Sequence, residues 1–356
     1  MKQLLMTPGP TPIPENITKK MAEPIIHHRT PEYRQVFKDV SEDLKSVFKT
    51  ANDCLIFASS GTGAMEASVV NILSPGDKAI VIVGGKFGER YFEICKSFGI
   101  DVIPVDIEWG TSPDPQLIKD TLNKNASIKA VFMELCETST ATVYDIKAIG
   151  EAMKGFDAAL AVDAISGLAA DDLETDAWGV DIAVGGSQKA LMLPPGLSFC
   201  AISQKAWKMV KNSKIPRYYY DFDKYKKAKE KDDTPFTPAI TLTIGLKKSL
   251  EIIKSKGIDN IIKECNNMAG MARDASKNLG FELFSKSPSN AVTALKAPKG
   301  VDASLLIKAI KKRGIAVAGG QGELKGKIIR IAHMGGITKR DVERTIGVLK
   351  EVVKEL

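Results

Sequence analysis

The sequence predicts an α/β protein: a large domain with a mostly parallel sheet flanked by helices, followed by a smaller α+β C-terminal domain. Three observations carry this. Between residues 34 and 210, short apolar runs rich in β-branched residues alternate with amphipathic stretches. From about residue 242 the order changes to a long helical stretch, then short strands and helices. The length of 356 residues suits about two domains at ~150 residues each.

Close to its start the chain runs Met6-Thr7-Pro8-Gly9-Pro10-Thr11-Pro12-Ile13-Pro14. So many prolines make residues 1–20 an arm that lies against another part of the molecule. The large domain, 21–245, carries predicted strands at 54–58, 79–83, 101–105, 130–134, 158–163, 181–184 and 197–202. Such short, nearly continuous apolar runs suit strands buried on both faces. Helices are expected between them at 36–49, 63–73, 87–98, 115–123 and 146–153. A Lys-, Asp- and Pro-rich region, 221–238, interrupts the alternation. The small domain, 246–356, continues with segments at 282–284, 291–295, 303–313, 316–318 and 327–333. Its last helix shows one apolar stripe, Val342, Ile346, Leu349, Val353 and Leu356, at steps of four and three. Thr338 caps it, Asp341 lies in its first turn, and Ile337 and Val342 form a hydrophobic staple.

Composition narrows the class. Hydrophobic residues are 44% and charged residues 26%, ordinary for a globular chain and incompatible with disorder as the main state. No apolar run is long enough to span a bilayer, and the N-terminus is too short and too broken by proline for a secretory signal. A net charge of +7 spread over this length marks a solvated surface, not a nucleic-acid partner. Cys54, Cys95, Cys136, Cys200 and Cys265 are far apart and mostly set in apolar runs, as reduced thiols of a cytoplasmic protein are. Three histidines and no GxSxG elbow leave little room for a metal site or a serine hydrolase.

Five segments at strand ends carry the chemistry. Ser59-Ser60-Gly61-Thr62-Gly63-Ala64-Met65-Glu66 follows a strand and opens a helix. Free amides at a helix start bind anions; the plainer reading is a tight turn. It matches neither a Walker loop nor a dinucleotide fingerprint, so a single phosphate is the better ligand. Gly84-Gly85-Lys86-Phe87-Gly88-Glu89-Arg90 puts Phe87 where ligands bind in parallel sheets, either to stack on a flat ring or as a core residue. Cys136-Glu137-Thr138-Ser139-Thr140 clusters hydroxyls at another strand end, as ligand contacts or as caps. Asp163 ends an apolar strand; a buried acid needs a partner, which a cationic ring nitrogen supplies, unless it caps a turn. In Ser187-Gln188-Lys189-Ala190, followed by Pro194-Pro195-Gly196, a lysine in an apolar setting has a lowered pKa and attacks carbonyls. Together these are the parts that pyridoxal 5'-phosphate requires.

On these segments the sequence resembles the class V, fold type I, pyridoxal-phosphate aminotransferases, in particular the serine–pyruvate / alanine–glyoxylate aminotransferase family. The likeness extends to the N-terminal Pro-rich run, His27-His28-Arg29-Thr30-Pro31-Glu32-Tyr33, Ala318-Gly319-Gly320-Gln321-Gly322 and Lys327-Ile328-Ile329-Arg330-Ile331-Ala332-His333-Met334-Gly335. The resemblance implies roles. Lys189 is the Schiff-base lysine and Asp163 the partner of the pyridine nitrogen. Phe87 is the stacking aromatic. Ser60, Gly61 and Thr62 form the phosphate loop, with Gln188 beside it. Ser139 is the hydroxyl near the ring's 3-oxygen, and Arg330 binds the substrate α-carboxylate. Thr237, with Thr234 as the alternative, reaches the phosphate from a second subunit, because the family is dimeric with its site at the interface.

The implied reaction moves an amino group from a small amino acid, serine or alanine, to pyruvate or glyoxylate in a ping-pong cycle of amino-acid metabolism. No second arginine for a distal carboxylate is evident in the sequence. Aspartate, phosphoserine or aminoethylphosphonate transamination stays open, as does a class V lyase such as a cysteine desulfurase. A lyase needs a reactive cysteine on a mobile loop, and no cysteine lies in the Gly/Pro-rich loops.

Overall fold

The computed structural model describes residues 3–355. Its central sheet has seven strands, in the order Asp53–Phe57, Ser198–Ile202, Ile182–Gly186, Ala159–Asp163, Ile128–Glu134, Lys78–Val83 and Asp101–Asp106. All seven expected runs therefore enter one sheet. Every pairing is parallel except the two made by Ser198–Ile202. Ala159–Asp163 and Ile182–Gly186 are buried along their whole length, as strands covered on both faces must be. The parallel strands end together, and the crevice outside those ends is where such sheets bind ligands.

A second sheet of four antiparallel strands runs Glu282–Leu283, Val292–Lys296, Ile328–Ala332, Ala318–Gly319. Helices Ile258–Lys277, Ala303–Lys312 and Lys339–Glu355 pack with it around a separate apolar core that includes Leu295, Leu306, Ile329 and Leu349. In the last helix Val342 and Leu349 are fully buried, while Ile346 and Val353 pack at the core's margin; Leu356 lies outside the described residues. Its start is a reciprocal cap. Thr338 Oγ1 accepts from the Asp341 amide at 3.3 Å, and Asp341 Oδ2 accepts from the Thr338 amide at 2.9 Å.

The arm is stitched into both units, apart from Met1 and Lys2, which lie outside the described residues. Leu4–Leu5 pairs in parallel with Ile315–Ala316, and the carbonyl of the fully buried Met6 accepts from the Ala332 amide at 2.9 Å. Thr11 then donates its amide to Gln188 O and its hydroxyl to Lys189 O. The expected divisions at 20/21 and 245/246 both fall inside unbroken helices, Glu15–Met21 and Ile240–Lys256.

Two local differences have simple causes. The region 221–238 is not only an interruption: it contains the helix Phe222–Lys229, capped by Asp221 and anchored by the buried Phe222 and Tyr225. A pair at i and i+3 suffices to seat one face of a short helix. The long helical stretch after residue 242 is two helices, because Gly257 adopts φ 80 and ends the first before Ile258–Lys277 begins.

Candidate active site

Loops that follow four strands of the central sheet, together with the N-terminal arm, close around a cavity of about 280 Å³. Gly9, Ser60, Thr62, Phe87, Asp163 and Lys189 are among its walls. Ser60 precedes the helix Gly61–Ile72, so the amides of Gly61 and Thr62 have no intrahelical acceptor. The turn is packed too closely for side chains. A Cβ on Gly61 would stand 2.3 Å from Ile165 Cδ1, and one on Gly63 would stand 2.3 Å from Tyr220 Oη.

Lys189 sits on a turn locked by its own backbone. Ser187 donates its hydroxyl to Pro194 O at 2.7 Å and accepts from the Leu197 amide at 3.2 Å, while the Leu193 amide bonds Ser187 O. The lysine is 8% exposed, and its Nζ donates to Pro8 O from the N-terminal arm. Burial pulls its pKa down to about 8, helped by Arg330 and Arg90 and opposed by Cys136 and Asp163. A useful fraction is therefore unprotonated near neutral pH, as a nucleophile or base must be.

Asp163 closes the strand Ala159–Asp163. It accepts from the Ile165 amide at 2.8 Å and has no ion pair among the described residues. Burial pushes its carboxyl up to about 6. Its register neighbour Glu134 is fully buried with both carboxyl oxygens unpartnered, and burial pushes its carboxyl well above the ordinary range.

Arg330 projects from the small sheet. Its Nε donates to Gly319 O at 2.9 Å and its Nη1 to Thr138 O at 2.7 Å. It is 5% exposed and has no carboxylate partner among the described residues; burial lowers its pKa to about 10. Gln188 lines the cavity with its Oε1 buried and unpartnered.

Ser139 does not face the cavity. Its hydroxyl donates to Glu137 Oε1 at 2.5 Å and accepts from the Lys86 amide at 3.1 Å, so it is already committed within the protein. The nearby hydroxyl that does line the cavity is that of Ser166, whose Oγ accepts from Thr138 Oγ1 at 2.5 Å. Thr234 and Thr237 line a different cavity of about 20 Å³ with Tyr219 and Phe236, so one chain does not bring them to Lys189.

Sequence reasoning passed over three contributors. Arg90 lies one helical turn after Phe87 and lines the same cavity, a second arginine that the i, i+3 spacing could have revealed. Glu137 accepts from the amides of Phe87 and Gly88 at 3.0 and 3.1 Å and from the Ser139 amide at 3.0 Å, clamping the start of the helix Lys86–Ser97. Burial raises its pKa, against those hydrogen bonds. The arm contributes Pro8, Gly9 and Pro10; a Cβ on Gly9 would meet Lys189 Cε at 2.6 Å, and its φ of 131 favours glycine as well. Only packing across the whole chain could show that contact.

A nucleophilic lysine, an acid and an arginine without ion-pair partners among the described residues, and free helix amides make one consistent donor set. A phosphorylated, cationic, aromatic aldehyde complements each of them, and pyridoxal phosphate is such a group. The fold and the site thus define a pyridoxal-phosphate enzyme. Known proteins agree. The profile of class-V aminotransferases matches residues 4–336. An uncharacterised aminotransferase of Methanocaldococcus jannaschii and a protein named soluble hydrogenase 42 kDa subunit from Anabaena cylindrica are each 41% identical, covering 100% of this chain and 94% of theirs. A serine–glyoxylate aminotransferase of Methylorubrum extorquens is 34% identical, over 94% of this chain and 87% of its own. The solved structure of an aspartate aminotransferase of subgroup IV from Thermus thermophilus is 32% identical, with a TM-score of 0.93 over 99% of both chains. The chain belongs to the class-V aminotransferases and is a pyridoxal-phosphate-dependent transaminase.

Proposed function

We propose that the protein moves the amino group of a small amino acid, serine or alanine, to a small 2-oxo acid, pyruvate or glyoxylate. One observation carries the assignment of roles: Lys189, Asp163 and Arg330 are buried around one site, each without an ion-pair partner among the described residues. Pyridoxal phosphate, when bound, supplies an aldehyde for amines and a ring that withdraws electrons. Lys189 attaches it through Nζ. Once displaced by a substrate amine, the Lys189 Nζ would be placed to take the Cα proton and to deliver a proton to the carbon that had carried the aldehyde. Asp163 would keep a proton on the ring nitrogen, Phe87 would pack against the ring, and Ser166 with Thr138 would offer the hydroxyl contact first expected of Ser139. Ser60, Gly61, Thr62 and Gln188 hold the phosphate. Arg330 presents its planar fork to the substrate carboxylate.

Thr237 or Thr234 reaches the phosphate from a second copy, so the working form is a homodimer with its sites at the interface. The placement of both threonines away from Lys189 within one chain supports this. Five buried free thiols fit a cytoplasmic setting. They also disfavour a desulfurase, which needs an accessible cysteine. The small cavity, roofed by Gly9, fits small donors. The relatives' names span serine and aspartate, so the donor is the open choice.

The test is a spectrum followed by a substrate matrix. The purified protein should be yellow, should bleach with borohydride, and should carry the pyridoxyl group on Lys189. Serine or alanine should convert the bound cofactor, and pyruvate or glyoxylate should restore it. Pyridoxyl on another lysine overturns the site; a clear preference for aspartate overturns the choice of donor.

A further inference from the structure

Arg90 has no role in the scheme above, yet it lines the same cavity as Lys189. It lies on the helix Lys86–Ser97, one turn beyond Phe87. Its Nη1 donates to Thr62 Oγ1 at 3.3 Å, and its guanidinium carbon stands 4.7 Å from the centre of the Phe87 ring. No carboxylate among the described residues pairs with it: the neighbouring Glu89 is taken by Lys86. It therefore brings a fixed positive charge to the loop Ser60–Thr62 and leaves it unneutralised.

The charges of the site settle where it belongs. A substrate carboxylate falls to Arg330 and a cationic ring nitrogen to Asp163. The other groups assigned to the phosphate are neutral: amides, hydroxyls and the Gln188 side chain. A phosphate carries close to two negative charges at neutral pH, and dipoles alone leave most of that uncompensated. Arginine is the side chain whose planar fork matches phosphate oxygens.

We propose that Arg90 is a cofactor-binding residue that takes the phosphate of pyridoxal phosphate, spanning the phosphate loop and the ring-stacking Phe87. The proposal rests on the cofactor reading and adds to it the one cationic ligand at the phosphate among the described residues. Its contact with Thr62 favours this corner over a distal carboxylate of the substrate.

The experiment compares two probes on the apoenzyme, pyridoxal phosphate and pyridoxal, which differ only in the phosphate. Wild type, Arg90→Gln and Arg90→Lys are titrated with both by absorbance. A charge-assisted bond is worth roughly a 10- to 100-fold change in affinity. Arg90→Gln should lose about that factor for pyridoxal phosphate while pyridoxal affinity stays unchanged, and Arg90→Lys should recover part of the loss. An equal loss for both probes would mean that Arg90 acts only through Phe87 or the fold, and would overturn the proposal. Unchanged affinity for pyridoxal phosphate, with aspartate alone losing apparent affinity, would reassign Arg90 to a substrate carboxylate. Should wild type bind neither probe, the cofactor reading itself falls; a defect confined to the variants touches Arg90 alone.

Discussion

Two aspartates in this protein share burial and titration and differ in what surrounds them. Asp163 and Asp171 are each 4% exposed, and burial pushes both carboxyls up to about 6. Asp171 is fully engaged. It accepts from the Ser289 hydroxyl and, at 2.7 Å, from the Asn290 amide, with Arg273 nearby. It thereby ties the loop after the central sheet to the chain entering the small sheet. Asp163 accepts one amide and spends its remaining capacity on the cavity. A displaced pKa marks burial; an unspent acceptor marks a site.

The sharpest way to break that distinction is to remove the group that shares the cavity with Asp163. Lys189→Ala should reduce turnover by at least about 10²- to 10⁴-fold, the usual worth of a positioned base, and should abolish borohydride fixation. In wild type, the rate at which the apoenzyme captures pyridoxal phosphate should rise with pH and level off above about 8, because only the unprotonated amine attacks. A rate flat across pH 7–9 would contradict a lysine poised there.

Asp163→Asn tests the other half. An amide oxygen still accepts from the Ile165 amide, so the apoenzyme should melt at the wild-type temperature. It cannot keep a ring nitrogen protonated, and turnover should fall by roughly 10²-fold or more, the scale of losing one electrostatic stabiliser. Near-normal turnover would make Asp163 a turn cap like many others. Arg330 makes a smaller, separate difference. Arg330→Lys keeps the charge and loses the fork, so apparent substrate affinity should weaken by about 10- to 100-fold while cofactor binding is retained. An unchanged apparent KM would place the carboxylate site elsewhere.

The same contrast explains what could be read in the sequence. Asp163 and Lys189 announce themselves because each interrupts an apolar run, where an ionisable group needs a reason. The strands are legible for the same cause: fully buried strands write continuous apolar segments. Ser139 misleads because a hydroxyl in a cluster shows its chemistry and not its direction. Thr138 and Ser139 are adjacent, and only the fold turns one toward Ser166 and the other toward Glu137. The reach of Pro8 to Lys189, across more than half the chain, has no local signature at all. Nor does the structural duty of Asp171, whose neighbour Asp172 looks equivalent until Ser289 is packed against one of them.

Asp171→Asn is therefore the closing test of the comparison, with the smallest expected effect on catalysis. At neutral pH it should cost about 1.5–3 kcal/mol, the worth of hydrogen bonds to a charged group, because Asn keeps one acceptor oxygen where the carboxylate uses two, one for Ser289 and one for Asn290. Pyridoxal-phosphate affinity and turnover per folded molecule should stay at wild-type values. The pH dependence makes the comparison strict. Each aspartate has an ordinary value of 3.8 and a folded value of about 6, so between these limits the folded state binds more protons than the unfolded one. The contribution of these two groups to the stability of the apoenzyme should then fall as pH rises from about 4 to 6. Asp163→Asn and Asp171→Asn should each remove one group's share of that slope, measured by denaturant unfolding across the window. Matching changes in slope, with catalysis lost in the first variant and stability in the second, are the expected result. If Asp171→Asn instead loses turnover while keeping its stability, the hydrogen bonds to Ser289 and Asn290 serve the cavity as well, and satisfied partners do not separate structure from function here.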